Sequence, residues 1–178
     1  MRSLSLLLIV LAISGCAPSV RPTSMIPSVI TRQDSSAGKT LVLAEVTGGE
    51  KPGLSNQVTI DKQAFREALL GTLERAGFLA PTRKGEPADY ELHADIAGQL
   101  SLQIGSLAIR SHLLVSYRLI ERSTKKDVWK DAIYSKYQAE GKTYATELQK
   151  ARQEAVEGAV RENLGQLIQR IEAVVKPR

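Results

Sequence analysis

The alternation of apolar and polar positions is clearest in the middle of the chain. From Tyr90 the even positions read Tyr90, Leu92, Ala94, Ile96, Gly98, Leu100, Leu102 and Ile104; the odd ones read Glu91, His93, Asp95, Ala97, Gln99, Ser101 and Gln103. A period of two over fifteen residues predicts one long strand with an apolar and a wet face, the pattern of an antiparallel sheet. Gly98, inside that run, predicts a bulge or bend. The alternation resumes over Ser111 to Glu121, with Leu113, Val115, Tyr117 and Leu119 on one side, and the polar turn RSTKKD leads into Val128 to Tyr137, a hairpin. Upstream, Thr40 to Thr47 is rich in branched residues and reads as a first strand. Between them a helical period runs from a cap at Asp61 to Ala76, with Phe65, Ala68, Leu69, Leu73 and Ala76 on one face and Gly77 as its stop. The last helical stretch spans about Thr143 to Val174. Its apolar stripe slips near Gly158, which predicts a kink or offset there. The order is β-α-β-β-β-α. The expected class is α+β, an antiparallel sheet with two helices packed on one face.

The first residues follow a different pattern. Met1-Arg2 is followed by an almost continuous apolar run, Leu4 to Ile13. That run is too short to span a bilayer, which takes ~20 apolar residues, and matches the apolar region of a secretory signal. Ile13-Ser14-Gly15-Cys16 follows in register. This resembles the bacterial lipobox. The resemblance implies cleavage between Gly15 and Cys16, a diacylglyceryl group on the Cys16 thiol and an acyl group on the new amino terminus. Two or more acyl chains hold a protein stably on a membrane, whereas one holds it only marginally. Cys16 is the single cysteine of the 178 residues, so the mature chain has no internal disulfide. Residue 17 is alanine; in the sorting system this resembles, that favours the outer membrane, facing the periplasm. The expected division is therefore residues 1–15 as signal, 16–38 as lipidated cysteine and flexible tether, and 39–178 as one domain. Pro18, Pro22, Pro27 and several Ser/Thr support the tether, with Met25, Ile26, Val29 and Ile30 as the apolar residues expected to dock.

The formal net charge is +5, or +4 once Arg2 leaves with the signal. The basic residues are spread evenly, with no Lys/Arg run of the kind that marks a nucleic-acid surface. Ala37-Gly38-Lys39-Thr40 ends like a phosphate-binding loop, but Gln33 stands where that loop needs glycine and a strand follows, not a helix. His93 and His112 are the only histidines and are not grouped with further ligands, so no metal site is expected. Glu91, His93 and Asp95 do share the wet face of the long strand. There is no GxSxG motif and no catalytic residue to name. Trp129, Tyr134, Tyr137 and Tyr144 gather near the last strand and helix start and form a candidate partner-binding patch. The loop from Gly48 to Gln57, opening with Gly48-Gly49, is longer than packing requires and is the other candidate.

The segments YELHADI, LLVSYRLIERSTKKDVWKD and ENLGQLIQRIEAVV are similar in pattern to two families of Gram-negative lipoproteins. One is the lipopolysaccharide-assembly lipoprotein, the other the auxiliary lipoprotein of ABC-type lipid transport systems. The likeness covers roughly residues 60–174. The assembly family tends to have Gly-Phe-x-Leu after its cysteine, where this chain has Ala17-Pro18-Ser19-Val20. TSMIPS, VTGGEKPGLSNQV and DKQAFREALLGTLERAGF look closer to a group of proteobacterial lipoproteins, some carrying an acyltransferase label for UDP-N-acetylglucosamine. That enzyme class resembles a β-helix of hexapeptide repeats, and no such repeat occurs here. The anchor signal, one compact domain and the lack of a catalytic constellation point to a non-enzymatic, lipid-anchored envelope protein. It binds a protein or lipid partner as an accessory to outer-membrane assembly or transport, with no cofactor beyond the lipid on Cys16 and no nucleic acid. An enzyme on envelope precursors and a lipid carrier are the alternatives.

Overall fold

The computed structural model describes residues 20–28, 30, 39–49, 58–79, 88–104, 108–141 and 145–175. The elements are α1 (Pro22–Met25), β1 (Leu41–Gly48), α2 (Lys62–Arg75), β2 (Tyr90–Ile104), β3 (Ala108–Glu121), β4 (Lys126–Glu140) and α3 (Ala145–Val175). The α+β class and the order β-α-β-β-β-α are those expected, with the short α1 added in front. The four strands form one open sheet in the order β1-β2-β3-β4.

One edge of the sheet departs from the expected antiparallel arrangement. β1 runs parallel to β2, with Leu41 opposite Tyr90 and Gly48 opposite Ile96. The reason is the connection: a parallel neighbour needs a long crossover, and α2 supplies it. Both ends of α2 are closed by its own sequence. The Asp61 side chain accepts from the backbone N–H of Gln63 and Ala64. At the other end Gly77 sits at φ +77°, letting Phe78 N–H reach Leu73 O at 2.9 Å and Gly77 N–H reach Glu74 O at 3.0 Å. That double bond pattern ends a helix on a left-handed glycine. Leu41 N–H then donates to Phe78 O at 2.8 Å, so the helix exit and the strand entry hold each other.

α2 and α3 cover one face of the sheet. Leu92, Ala94 and Ile96 of β2, Leu113, Val115, Tyr117 and Leu119 of β3, and Ile133 of β4 are buried there against Phe65, Leu69, Leu73, Val160, Leu164 and Leu167. Within this core the Tyr117 hydroxyl donates to Asn163 Oδ1 at 2.7 Å, and Asn163 Nδ2 donates to Ile133 O at 2.8 Å. Burial pushes the Tyr117 phenol well above its ordinary pKa. α3 runs unbroken for 31 residues through Gly158, where a kink or offset is expected. Gly158 makes room for an aromatic ring: a Cβ there would lie 2.3 Å from Tyr137 Cδ1. The slip in the apolar stripe marks a change of neighbour. Before Gly158, Ala151 and Ala155 pack on Ile109 and Ala139; after it, larger residues fill the main core.

Part of the segment expected as a tether is docked. Val20, Met25 and Pro27 are buried, and α1 contacts both α2 and α3. Arg21 reaches Glu157 three times: its backbone N–H and Nε donate to Oε1 at 2.8 and 3.3 Å, and Nη2 donates to Oε2 at 3.2 Å. The Glu157 side chain is only 2% exposed. The carboxylate's hydrogen bonds and charge raise the Arg21 pKa. Arg161 Nε donates to Ser24 O at 3.0 Å. Gly71 leaves space for Ile26, whose Cδ1 would stand 2.6 Å from a Cβ at that position. Met25 and Ile26 dock as expected from their apolar character, and Ile30 also packs against the core. Val29 lies outside the described residues, as do the signal segment, Gly15 and Cys16.

Candidate functional site: the open face of the sheet

The face of the sheet opposite α2 and α3 carries no element among the described residues. β2 gives this face two unlike halves, and the cause is a bulge. The β2–β3 register slips between Ile96 and Gly98, so that Ile96 faces Val115 while Gly98 faces Leu114. A bulge places two residues of one strand against one of its partner. Because side chains alternate with period two, one extra residue moves every later side chain to the other face. Leu92, Ala94 and Ile96 therefore point into the core, as expected, but Leu100, Leu102 and Ile104 do not. They lie on the open face, 55%, 44% and 37% exposed. Gln99 and Ser101, expected on the wet side, turn toward the helices. Ser101 Oγ donates to the buried Ser111 Oγ, and the Gln99 amide bridges Val58 O at 2.9 Å and Ile60 N–H at 2.8 Å.

Beyond the bulge the open face is apolar. Leu114, 38% exposed, sits between Gly98 and Tyr134, and Tyr134 is 52% exposed. The next rows across the strands read Leu100–His112–Lys136, Leu102–Arg110–Gln138 and Ile104–Ala108–Glu140. The Tyr134 hydroxyl and His112 Nδ1 hydrogen-bond to each other. Arg110 Nη2 donates to Gln138 Oε1 at 2.8 Å.

Before the bulge the same face is mainly polar, with Val42 of β1 exposed beside Glu91. Glu45, Thr47, His93, Asp95, Ser116, Arg118 and Lys130 line a shallow depression of about 360 Å³. Thr47 Oγ1 donates to Asp95 Oδ1 at 2.7 Å, and Arg118 Nε donates to Asp127 Oδ1 at 2.6 Å. His93 Nε2 is buried there without a hydrogen-bond partner. Serine, histidine and aspartate thus share the depression, yet no hydrogen bond joins Ser116, His93 and Asp95, so the arrangement lacks the linked donors and acceptors of a nucleophilic triad. Among the described residues no three His, Cys, Asp or Glu side chains converge for a metal ion. At the strand entrance, burial opposes ionisation of Asp89. The Thr40 N–H at 2.8 Å and Lys39 Nζ at 3.3 Å outweigh it and hold the carboxyl below its ordinary pKa. Lys39 is raised in turn, chiefly by its hydrogen bond to Asp89.

The aromatic residues singled out in the sequence do not form one patch. β4 alternates, so Trp129 and Tyr137 face the helix side and Tyr134 faces the open side. Trp129 is half-buried and stacks on Tyr117, ring centroids 6.4 Å apart. Tyr137 is half-buried, with the Arg161 guanidinium 5.9 Å from its ring centroid. Tyr144 lies outside the described residues. Gly48 and Gly49 both have positive φ, +69° and +76°. A Cβ on Gly48 would lie 2.3 Å from Ile96 O, so this glycine serves close approach of β1 to β2 at the bulge. The exposed apolar residues of this face that the sequence pattern does not single out as such are Leu100, Leu102, Ile104 and Leu114. The glycine inside the alternation was the signal for the bulge, but where the bulge turned the strand depended on pairing.

No protein-family model matches the chain, and no curated protein is similar to it. Solved structures are similar to it. The hypothetical protein CT253 from Chlamydia trachomatis superposes with a TM-score of 0.51 at 14% identity, covering 78% of this chain and 98% of that one. A minor lipoprotein from Acinetobacter baumannii gives 0.44 at 14% identity, covering 75% and 93%. A protein from Xanthomonas campestris, XCC0632, gives 0.48 at 15% identity, covering 74% and 84%. At such identities the likeness concerns fold alone.

Proposed function

We propose that this chain is a lipid-anchored envelope lipoprotein, held on the periplasmic side of the outer membrane through Cys16, that works without catalysis by binding a partner on its open sheet face. The observation that carries the reading is that face itself: four strands wide, uncovered among the described residues, and bearing both large apolar side chains and a charged depression. A sheet is normally covered on its apolar side, and exposed apolar patches rimmed by polar groups mark binding surfaces. The signal pattern ending at Cys16 supports the anchor. The role that fits is an accessory subunit in envelope assembly or transport.

The test is purification of the full-length protein from its own membranes in mild detergent, with mass spectrometry of whatever accompanies it. The mass of the protein itself reports whether Cys16 carries lipid. A stoichiometric envelope component that is lost when Glu45→Lys and Lys130→Glu are combined supports binding at the open face. A component retained in that variant moves the binding surface elsewhere. Turnover of an envelope precursor by the purified protein, abolished by Asp95→Asn, would overturn the non-catalytic reading.

A further inference from the structure

We propose that the polar half of the open face binds a small zwitterion, with its phosphate between Arg118 and Lys130 and its ammonium beside Glu45 and Asp95. The proposal rests on the open-face reading above and names a ligand class for one half of that face.

The strand registers draw one charged row across the whole sheet. Glu45 of β1 stands opposite His93 of β2, His93 opposite Arg118 of β3, and Arg118 opposite Lys130 of β4. All four line the depression. Its free charges lie at the two ends of the row, three strand spacings or roughly 14 Å apart at the backbone. Among the described residues neither Glu45 nor Lys130 has a hydrogen bond or an ion pair. Arg118 and Lys130 are like charges directly opposite each other, an arrangement that destabilises a sheet. Asp127 relieves it in part by accepting from Arg118 Nε at 2.6 Å. That bond uses one of the guanidinium's five N–H donors, and Asp127 is not among the residues that line the depression. His93 Nε2, next in the row, is buried without a hydrogen-bond partner.

An oxyanion seated between Arg118 and Lys130 removes the like-charge cost and gives His93 a partner, since Nε2 donates as the N–H tautomer or as imidazolium. Donors arrive there from β2, β3 and β4, and the Ser116 hydroxyl lies on the next row. A tetrahedral phosphate presents oxygens in several directions to such a set, whereas a carboxylate presents two in one plane. A guanidinium also takes phosphate oxygens in bidentate fashion. A bare anion, however, meets the acids of β1 and β2. Glu45 has no cation, and Asp95 accepts from Thr47 Oγ1 at 2.7 Å with one carboxylate oxygen, Oδ1. A ligand that also carries an ammonium answers both ends of the row. Its two charges then sit one to two strand spacings apart, about 5–10 Å. The depression, of about 360 Å³, lies at the small end of the ~300–1,000 Å³ range of ligand sites.

The experiment is isothermal titration calorimetry of the full-length protein in a non-ionic detergent. The probes are phosphoethanolamine, glycerophosphoethanolamine, inorganic phosphate and glycine. Phosphoethanolamine should bind more tightly than inorganic phosphate or glycine. Lys130→Gln should weaken it about tenfold, the loss of one charge-assisted hydrogen bond. Lys136→Gln, farther along β4 on the same face, should leave it unchanged. Glu45→Gln should weaken phosphoethanolamine and not inorganic phosphate, a split that general loss of structure would not produce. Circular dichroism checks that the three variants fold. Tighter binding of the glycerol diester assigns the ligand to a lipid head group, and tighter binding of the monoester to a free metabolite; both uphold the zwitterion. Absence of binding by every probe overturns the proposal. So does binding that Lys130→Gln and Lys136→Gln weaken equally, because net charge then accounts for it. Inorganic phosphate bound as tightly as phosphoethanolamine removes the role of Glu45 and overturns the zwitterion, and glycine bound most tightly overturns the phosphate. The co-purification above reads the partner separately: an envelope protein held on the open face while no probe binds sinks the ligand and keeps the partner reading.

Discussion

The two halves of β2 are one strand with opposite assignments. Up to Ile96 it is paired on both sides, by β1 and β3, and its apolar side chains lie in the core. From Gly98 on, among the described residues, it pairs with β3 alone; its polar side chains turn toward the helices and its leucines face out. The residue types are alike in both halves, so hydrophobicity does not explain the difference. The register does. One inserted residue costs a local ladder distortion but relocates three large apolar side chains, and these are the residues a binding surface needs. A strand that was regular throughout would have hidden them, leaving Leu114 and Tyr134 without apolar neighbours from β2 on the open face.

The comparison breaks most visibly at paired leucines. Leu92→Ala removes a fully buried side chain and should cost about 2–5 kcal/mol in urea unfolding. Leu100→Ala, 55% exposed in the second half, should fall within about 0.5 kcal/mol of the parent. Equal losses would mean that Leu100 is buried and the bulge misplaced. Next in size is Gly48→Ala. Its φ of +69° and a Cβ 2.3 Å from Ile96 O combine backbone strain with a clash at the junction of the halves. Strain alone is worth about 1–3 kcal/mol, and the midpoint of thermal unfolding should drop by several degrees.

Gln99→Leu sharpens the view of the second half. It keeps the size but removes both hydrogen bonds to Val58 O and Ile60 N–H. A loss of about 1–2 kcal/mol is expected, with faster amide exchange at Ile60. An unchanged exchange rate would show that Gln99 points outward, as the bare alternation suggests. The smallest effect belongs to Asp89, next to the start of the first half. Its folded pKa is depressed, so its stabilisation is present above the ordinary aspartate value of 3.8 and disappears as pH falls through the folded value. The side chain is 34% exposed, which limits the size. Asp89→Asn should cost about 1 kcal/mol at pH 7, and the gap between variant and parent should close below about pH 4. A gap that stays constant with pH would mean that the charge is not what Thr40 and Lys39 hold.

The extent of legibility differs from residue to residue. Local signals were read directly from the sequence: Asp61 caps α2, Gly77 ends it, and Tyr90 to Ile104 is one fifteen-residue strand. Features that depend on which strands become neighbours were not readable in this way. The parallel pairing of β1 follows from where the α2 crossover returns, and the face of Leu100 follows from how β2 meets β3. The aromatic grouping failed for the same reason, since proximity in sequence places Trp129 and Tyr134 on opposite faces of one strand. The docking of Val20 to Pro27 was partly legible, in the apolar character of Met25 and Ile26, but its strength was not. The Arg21–Glu157 clamp joins residues 136 positions apart.

By itself, then, the sequence determined what propensity and period encode: the element types, their order, the helix ends, the α+β class and the position of the strand irregularity. Those are short-range properties, set by backbone sterics, local hydrogen bonding and the need of each element to bury one face. The tertiary structure alone decided which face each half of β2 presents, where the chain first docks ahead of β1, and where the open surface lies. Each depends on register and packing between distant segments, where a shift of one residue costs little locally and reverses which side chains meet solvent.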